Sequence, residues 1–227
     1  ATKGIIPDEN LVISDYFHFM HGVPREQIAC LIGPSHAEEV AMNRLTYLTV
    51  GCQDLERAQR LADTILPEYV QTRVSADVKG IEYASVLKNI YAIGACICHG
   101  LQYGDNFHAV YMVNAANEMA DVLNLLNPSQ DRNITESVYL GDLLVTGYSD
   151  FSRNRVFGTM LGRGHSIKAA QTEMEMIVEG YYGAKCINEI LDGYKTYDFP
   201  IIQAVYSVLY ENAAPADAIK SLTTRFV

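Results

Sequence analysis

The 227-residue chain has no C-x-x-C pair, no G-x-G-x-x-G turn, no internal repeat and no low-complexity run. Its five cysteines are odd in number and lack paired spacing, which excludes a disulfide framework and a zinc set. They point to free thiols in a reducing compartment. Basic residues are scarce: 17 Lys and Arg against 27 Asp and Glu leave a net charge of −10, which argues against a nucleic-acid or anionic-membrane surface. No signal peptide opens the chain, and the longest uncharged part of its most apolar stretch, Ile90 to Cys98, is too short to span a bilayer. A soluble, cytoplasmic protein without stable membrane insertion is therefore expected. His18 and His21 share a helical face but no third ligand follows nearby, so no metal is expected. An initiating Met is missing too. The opening ATKGIIPDEN reads as though it begins in the middle of something.

What is present is ordinary globular composition, enough for one large domain or two small ones. The organising stretch is Asp77 to Asn106, one long helix and the turn that ends it. Ile81, Ala84, Leu87, Tyr91, Ala95 and Cys98 recur at the three-and-four spacing of a buried helical face. Ahead of it, residues 1–74 alternate strand and helix signals. Strands are expected at Gln27–Gly33, Leu45–Gly51 and Tyr69–Val74, the first as a buried strand. Helices are expected from Ser35, where Ser35 and Glu38 fit a capping box, and over Asp54–Leu66. After Ser75 only helices are signalled: 78–101, 107–126, 135–146, 153–161, 167–178, 181–191, 200–211 and 215–224. Asn106, Ser152, Ser166 and Asp198 are expected N-caps. Gly162 and Gly193 are expected C-terminal stops. The fold class is thus mixed α/β followed by all-α, with one boundary near Ser75 dividing 1–74 from 75–227.

Four clusters can carry chemistry, each against a blander reading. Gly33-Pro34-Ser35 at a strand-to-helix turn suits an anion, or is a simple capped helix. Lys88-Asn89 lies in the apolar run. Lys88 shares a stripe with Ala84, Ala92 and Cys96, so its ammonium points toward protein and wants an anion, unless it snorkels outward. Asp142 and Thr146, four apart in an apolar segment, place on one helical face a carboxylate that wants a cation, with Lys88 the candidate; the alternative is a capping or solvent-facing Asp. Ser152-Arg153-Asn154-Arg155 opens a helix with two guanidinium groups suited to phosphate, or forms a solvated first turn. Arginine at a helix N-terminus runs against the macrodipole and asks for a reason.

Together these clusters resemble NAD(P)-dependent glycerol-3-phosphate dehydrogenase. The resemblance runs in order through Thr2-Lys3-Gly4, Gly33-Pro34-Ser35-His36-Ala37-Glu38, Asp77-Val78-x-Gly80-x-Glu82, Leu87-Lys88-Asn89, Gly104-Asp105-Asn106, Gly141-Asp142-Leu143 with Thr146, Ser152-Arg153-Asn154 and Val178-Glu179-Gly180. It implies part of a Rossmann-type nucleotide domain followed by a helical domain like the C-terminal domain of 6-phosphogluconate dehydrogenase. It implies hydride transfer between NAD or NADP and a small phosphorylated substrate, interconverting dihydroxyacetone phosphate and sn-glycerol 3-phosphate. Carried over, Lys88 resembles the catalytic lysine, Asp142 the carboxylate that orients it, and Lys3 a second substrate-contacting lysine. Ser152, Arg153 and Asn154 resemble the phosphate grip, and Asn89 and Thr146 complete the substrate's surroundings. In bacterial members Gly33 and Ser35 also line the substrate, Ala37 and Arg153 touch the cofactor, and Glu179 sits on its adenosine side. A homodimer is implied.

The departures are specific. Where the family pattern carries a further glycine before Gly-Asp-Leu, this chain has Tyr139-Leu140, and the cysteine often found after the Thr is replaced by Gly147-Tyr148. The family's first nucleotide-domain half, with its glycine-rich turn and the residue that separates NAD from NADP, has no counterpart here. The chain therefore reads as a fragment. Two rivals stay open: a related hydroxyacid or 6-phosphogluconate-type dehydrogenase, and a shortened non-catalytic binding or assembly module. The 227-residue chain alone is expected to bind NADH poorly; a tight one-to-one calorimetric isotherm would contradict this.

Overall fold

The computed structural model describes residues 4–65, 67–149, 152–174, 178–194 and 196–226. Two compact units form. One comprises the chain up to Ser85 plus Leu123–Asp142; the other comprises Val86–Val122 plus the chain from Leu143.

In the first unit β1 (Ile5–Ile6) and β2 (Leu11–Val12) make an antiparallel hairpin with Ile5 opposite Val12. Helix α1 (Ile13–His21) follows directly. A three-stranded sheet then forms from β3 (Ala29–Ile32), β4 (Thr46–Cys52) and β5 (Val70–Ser75), in that order, with α2 (Ala37–Ala41) and α3 (Leu55–Ala62) between the strands. Strands β4 and β5 are parallel, with Val50 beside Val74, and α3 makes their crossover. Strand β3 runs antiparallel to β4, with Cys30 opposite Gly51. Val50, Cys52, Ala58 and Ala62 form the core between sheet and α3, with Leu31 and Ile65 packed on it.

Three expectations fail in this region. Only Ile32 of β3 is buried, so this is a half-covered edge strand and not a buried one. The Ser35 capping box does not form either. The helix starts at Ala37 after His36, and the Ser35 hydroxyl turns back to donate to Gly33 O at 3.1 Å. The predicted Asp54–Leu66 helix stops at Ala62, although Asp54 does cap it by accepting from Arg57 N at 3.1 Å.

Helices α4 (Val78–Gly100) and α5 (Asp105–Leu126) each run from one unit's residues into the other's. Helix α5 begins at Asp105, so Asn106 is not its cap. The predicted 135–146 helix is two pieces, a π-helical turn (Ser137–Gly141) and α6 (Asp142–Tyr148). The second unit continues with α7 (Arg153–Gly162), α8 (Ile167–Glu173), α9 (Glu179–Leu191), α10 (Pro200–Tyr210) and α11 (Pro215–Leu222). Ser166 caps α8 as expected, accepting from Ala169 N at 3.2 Å. Helix α4 is long and apolar enough to cross a membrane, yet its apolar stretch is buried inside the protein. All five cysteines are free, and burial pushes the Cys96 and Cys98 thiols up to about 12.

Asp198 does not cap α10 and pairs instead with Arg225. The cap comes from α5: both oxygens of buried Glu118 accept backbone N–H groups, from Ile202 at 2.9 Å and Ile201 at 2.8 Å. Burial pushes the Glu118 carboxyl from its ordinary 4.5 up to about 7, against those two bonds and Arg225, with Asp198 reinforcing the rise. Because the folded-state value lies above the ordinary one, Glu118 favours folding fully below about pH 4.5. That contribution fades as pH rises through about 7. The shift corresponds to roughly 3 kcal/mol. Glu118→Gln should therefore be less stable at pH 5 but show a flatter loss of stability between pH 5 and 8, read from urea midpoints. An unchanged slope would contradict the assignment.

Candidate active site

The second unit gathers most of the singled-out residues, starting from α4. Lys88 and Asn89 lie within a helix whose flanks are apolar, at 8% and 6% exposure. A buried amide left unpaired costs about 1–3 kcal/mol. Asn89 is met on both sides: it accepts from Asn154 Nδ2 at 2.9 Å and donates to Glu179 Oε2 at 3.2 Å. Asn154 in turn accepts from Gly180 N at 3.2 Å through its Oδ1. Glu179 Oε1 lies 3.5 Å from a guanidinium nitrogen of Arg153. One network thus joins the middle of α4 to the first turns of α7 and α9.

This network explains two oddities of sequence. Arg153 at the start of α7 opposes the helix dipole, but Glu179 at the start of α9 supplies the countercharge. The pair is roughly two-fifths exposed, so it contributes orientation more than stability. Gly180 is glycine because a Cβ there would sit 2.6 Å from Asn89 O and 2.8 Å from Asn154 Oδ1. Sequence reasoning gave Glu179 only a cofactor contact and no part in holding Asn89; Val178-Glu179-Gly180 was its only signal.

Ser152 occupies the N-cap position of α7 but makes no capping bond, contrary to expectation. Its hydroxyl is buried without a hydrogen-bond partner among the described residues. The first N–H groups of a helix have no acceptor within the helix, and beside them stand Arg153 and Asn154. A buried hydroxyl, a helix start and a guanidinium are groups of the chemistry that suits an oxyanion. Thr146, on α6, is also buried in this unit.

The remaining residues belong to the first unit. Asp142, 1% exposed, opens α6 directly after the π-helical turn. Gly33 adopts φ +153°, and a Cβ on it would stand 2.6 Å from Tyr47 O, so only glycine fits against β4. Ala37 is the first residue of α2 and is exposed. Lys3 lies outside the described residues.

A dinucleotide fits these residues only in part. The one βαβ unit among the described residues is β4–α3–β5, and the N-terminus of α3 is already occupied by the Asp54 carboxylate. No pyrophosphate cradle exists there. Arg153 and Glu179 can offer contacts at the edge of such a ligand, not its anchorage.

Two family models match the chain: the NAD-dependent glycerol-3-phosphate dehydrogenase C-terminus over residues 77–220, and the corresponding N-terminus over residues 1–58. Glycerol-3-phosphate dehydrogenase (NAD(P)+) of Streptococcus suis is 36% identical over 229 aligned residues, covering 99% of the chain. The enzyme of the same name from an Exiguobacterium species is 34% identical over 99% of it. The chain spans 66% of the length of these curated relatives. Among solved structures, glycerol-3-phosphate dehydrogenase from Coxiella burnetii superposes with a TM-score of 0.90 at 27% identity, covering 98% of this chain and 67% of that one. The yeast enzyme, at 24% identity and a TM-score of 0.82, shares the fold over 96% of this chain and 65% of its own.

Substituting Gly180→Ala should push α9 from α4 and loosen the Asn89–Asn154 bond. A loss of about 2 kcal/mol or more in chemical denaturation is expected; stability within 0.5 kcal/mol of the parent would contradict the packing described.

Proposed function

The chain belongs to the NAD-dependent glycerol-3-phosphate dehydrogenase family, and we propose that it carries the substrate-handling part of an enzyme interconverting dihydroxyacetone phosphate and sn-glycerol 3-phosphate. The single observation behind this reading is a buried lysine beside a buried amide network that ends at an arginine-flanked helix start, where the Ser152 hydroxyl has no hydrogen-bond partner among the described residues. Such an arrangement suits a small ketone that carries a phosphate.

In this proposal the substrate phosphate sits at the start of α7 and accepts hydrogen bonds from Ser152, Arg153 and Asn154. The ammonium of Lys88 donates to the C2 carbonyl oxygen and polarises it. NAD(P)H, when bound, supplies the hydride. As hydride reaches C2 the carbonyl π pair moves to oxygen and takes the Lys88 proton, so an alcohol forms and neutral lysine is left to recover a proton from water. Asn89 and Thr146 hold the substrate's hydroxyl end. Asp142 takes the role of charge balance for the lysine, and Lys3, Gly33 and Ser35 that of further substrate contacts. Ala37, Arg153 and Glu179 take peripheral cofactor contacts.

The domain division 1–74 and 75–227 is part of the same reading, and the two family models fall on either side of Ser75. So are a reducing cytoplasmic setting, in keeping with free cysteines, and a homodimer.

The test is NADH- or NADPH-dependent reduction of dihydroxyacetone phosphate by the full-length gene product. Lys88→Ala should lower kcat by about a thousandfold or more, the scale of a lost general acid and electrostatic partner. Arg153→Ala should raise KM for the phosphorylated ketone by about 10–100-fold, and unphosphorylated dihydroxyacetone should be a poor substrate. Equal turnover of the two ketones would overturn the reading and favour a hydroxyacid-type dehydrogenase.

A further inference from the structure

Tyr139 is buried, with its hydroxyl 2.7 Å from Asp77 Oδ2. Asp77 is the most heavily engaged carboxylate of the first unit. It caps the start of α4 through Gly80 N at 3.2 Å and accepts from Asn127 Nδ2 at 2.9 Å. It also pairs with Arg132, through Nε at 2.7 Å and an Nη at 3.0 Å. Arg132 is fixed in turn by Asn127 O at 2.7 Å. The hub is therefore rigid before the tyrosine is counted.

Tyr139 is the member that reaches outward from this hub to the π-helical turn. That turn is short, and π-helical turns are rare and recur at functional sites. Asp142 N donates to Ser137 O and Tyr139 O at its end, so the first residue of α6 takes its orientation from the turn. We propose that Tyr139 is a positioning residue, its phenol locking the Ser137–Gly141 turn to the Asp77–Arg132 pair and thereby setting the direction in which α6 presents Asp142. The catalytic part of this inference rests on the role proposed for Asp142 above; the structural part does not.

The two parts separate in the experiment. In the 227-residue chain, Tyr139→Phe keeps the ring and removes the bond, and Asp77 stays satisfied by Arg132, Asn127 and Gly80. Hydrogen exchange at Gly141 and Asp142 should then accelerate about tenfold. In Asn127→Ala, which removes a different bond to Asp77, exchange at these amides should match the parent. Equal exchange at Gly141 and Asp142 in parent and Tyr139→Phe would overturn the positioning role. In the full-length gene product, Tyr139→Phe should lower kcat about tenfold with KM changed less than twofold, and should cost nothing further in an Asp142→Asn background. The same fold-loss in both backgrounds would overturn the link to Asp142. Absence of any turnover by the parent would strike the proposed function alone, with the exchange result still deciding the positioning role.

Discussion

Helix α4 is buried through most of its length, and every polar group it carries must therefore be met inside the protein. Near its start, Glu82 accepts from both the backbone N–H and the hydroxyl of Ser14, which ties the hairpin of β1 and β2 and the start of α1 to this helix. Burial pushes the Glu82 carboxyl up, against the two Ser14 bonds. Further along, Asn89 recruits Asn154 and Glu179. Just ahead of the helix, Asp77 collects Arg132, Asn127 and Tyr139, and those bonds outweigh the effect of burial and hold its carboxyl below the ordinary range. Polar groups on α4 or just ahead of it thus hydrogen-bond to the first turns of α1, α7 and α9 and to the π-helical turn. Burial of this helix strengthens the hydrogen bonds of the amide network at Asn89.

The same constraint explains what sequence could and could not disclose. Three-and-four periodicity located α4 almost to the residue, because burial acts on every turn of it. The odd placement of Lys88 and Asn89 in that stripe, and the Arg at the start of α7, were visible as local conflicts with burial and dipole. What answers those conflicts was not visible: Glu179 lies 90 residues beyond Asn89, and Ser14 lies 68 before Glu82. Partners at such separations leave no periodic trace. Local capping rules failed for two different reasons, one a long-range group and the other a nearby carbonyl. Glu118 took the place expected of Asp198, and Ser35 satisfied Gly33 O instead of a helix start. The π-helical turn was missed because its residues, Ser137–Gly141, carry the same apolar pattern as a continuous helix.

Under the proposed function, the helical unit holds a phosphate at one end of a short network and a carbonyl at Lys88. The dinucleotide's pyrophosphate finds no cradle among the described residues, since α3 caps itself with Asp54. Under the proposed function, the network centred on Asn89 serves substrate recognition and not cofactor anchorage. The most direct measurement is a titration of the isotopically labelled 227-residue chain with glycerol 3-phosphate, followed by amide and side-chain NMR shifts. The account predicts shifts centred on Lys88, Asn89, Thr146, Ser152–Asn154 and Gly180, saturating at lower concentration than with inorganic phosphate. Shifts absent from α7, or identical for glycerol 3-phosphate and inorganic phosphate, would contradict it.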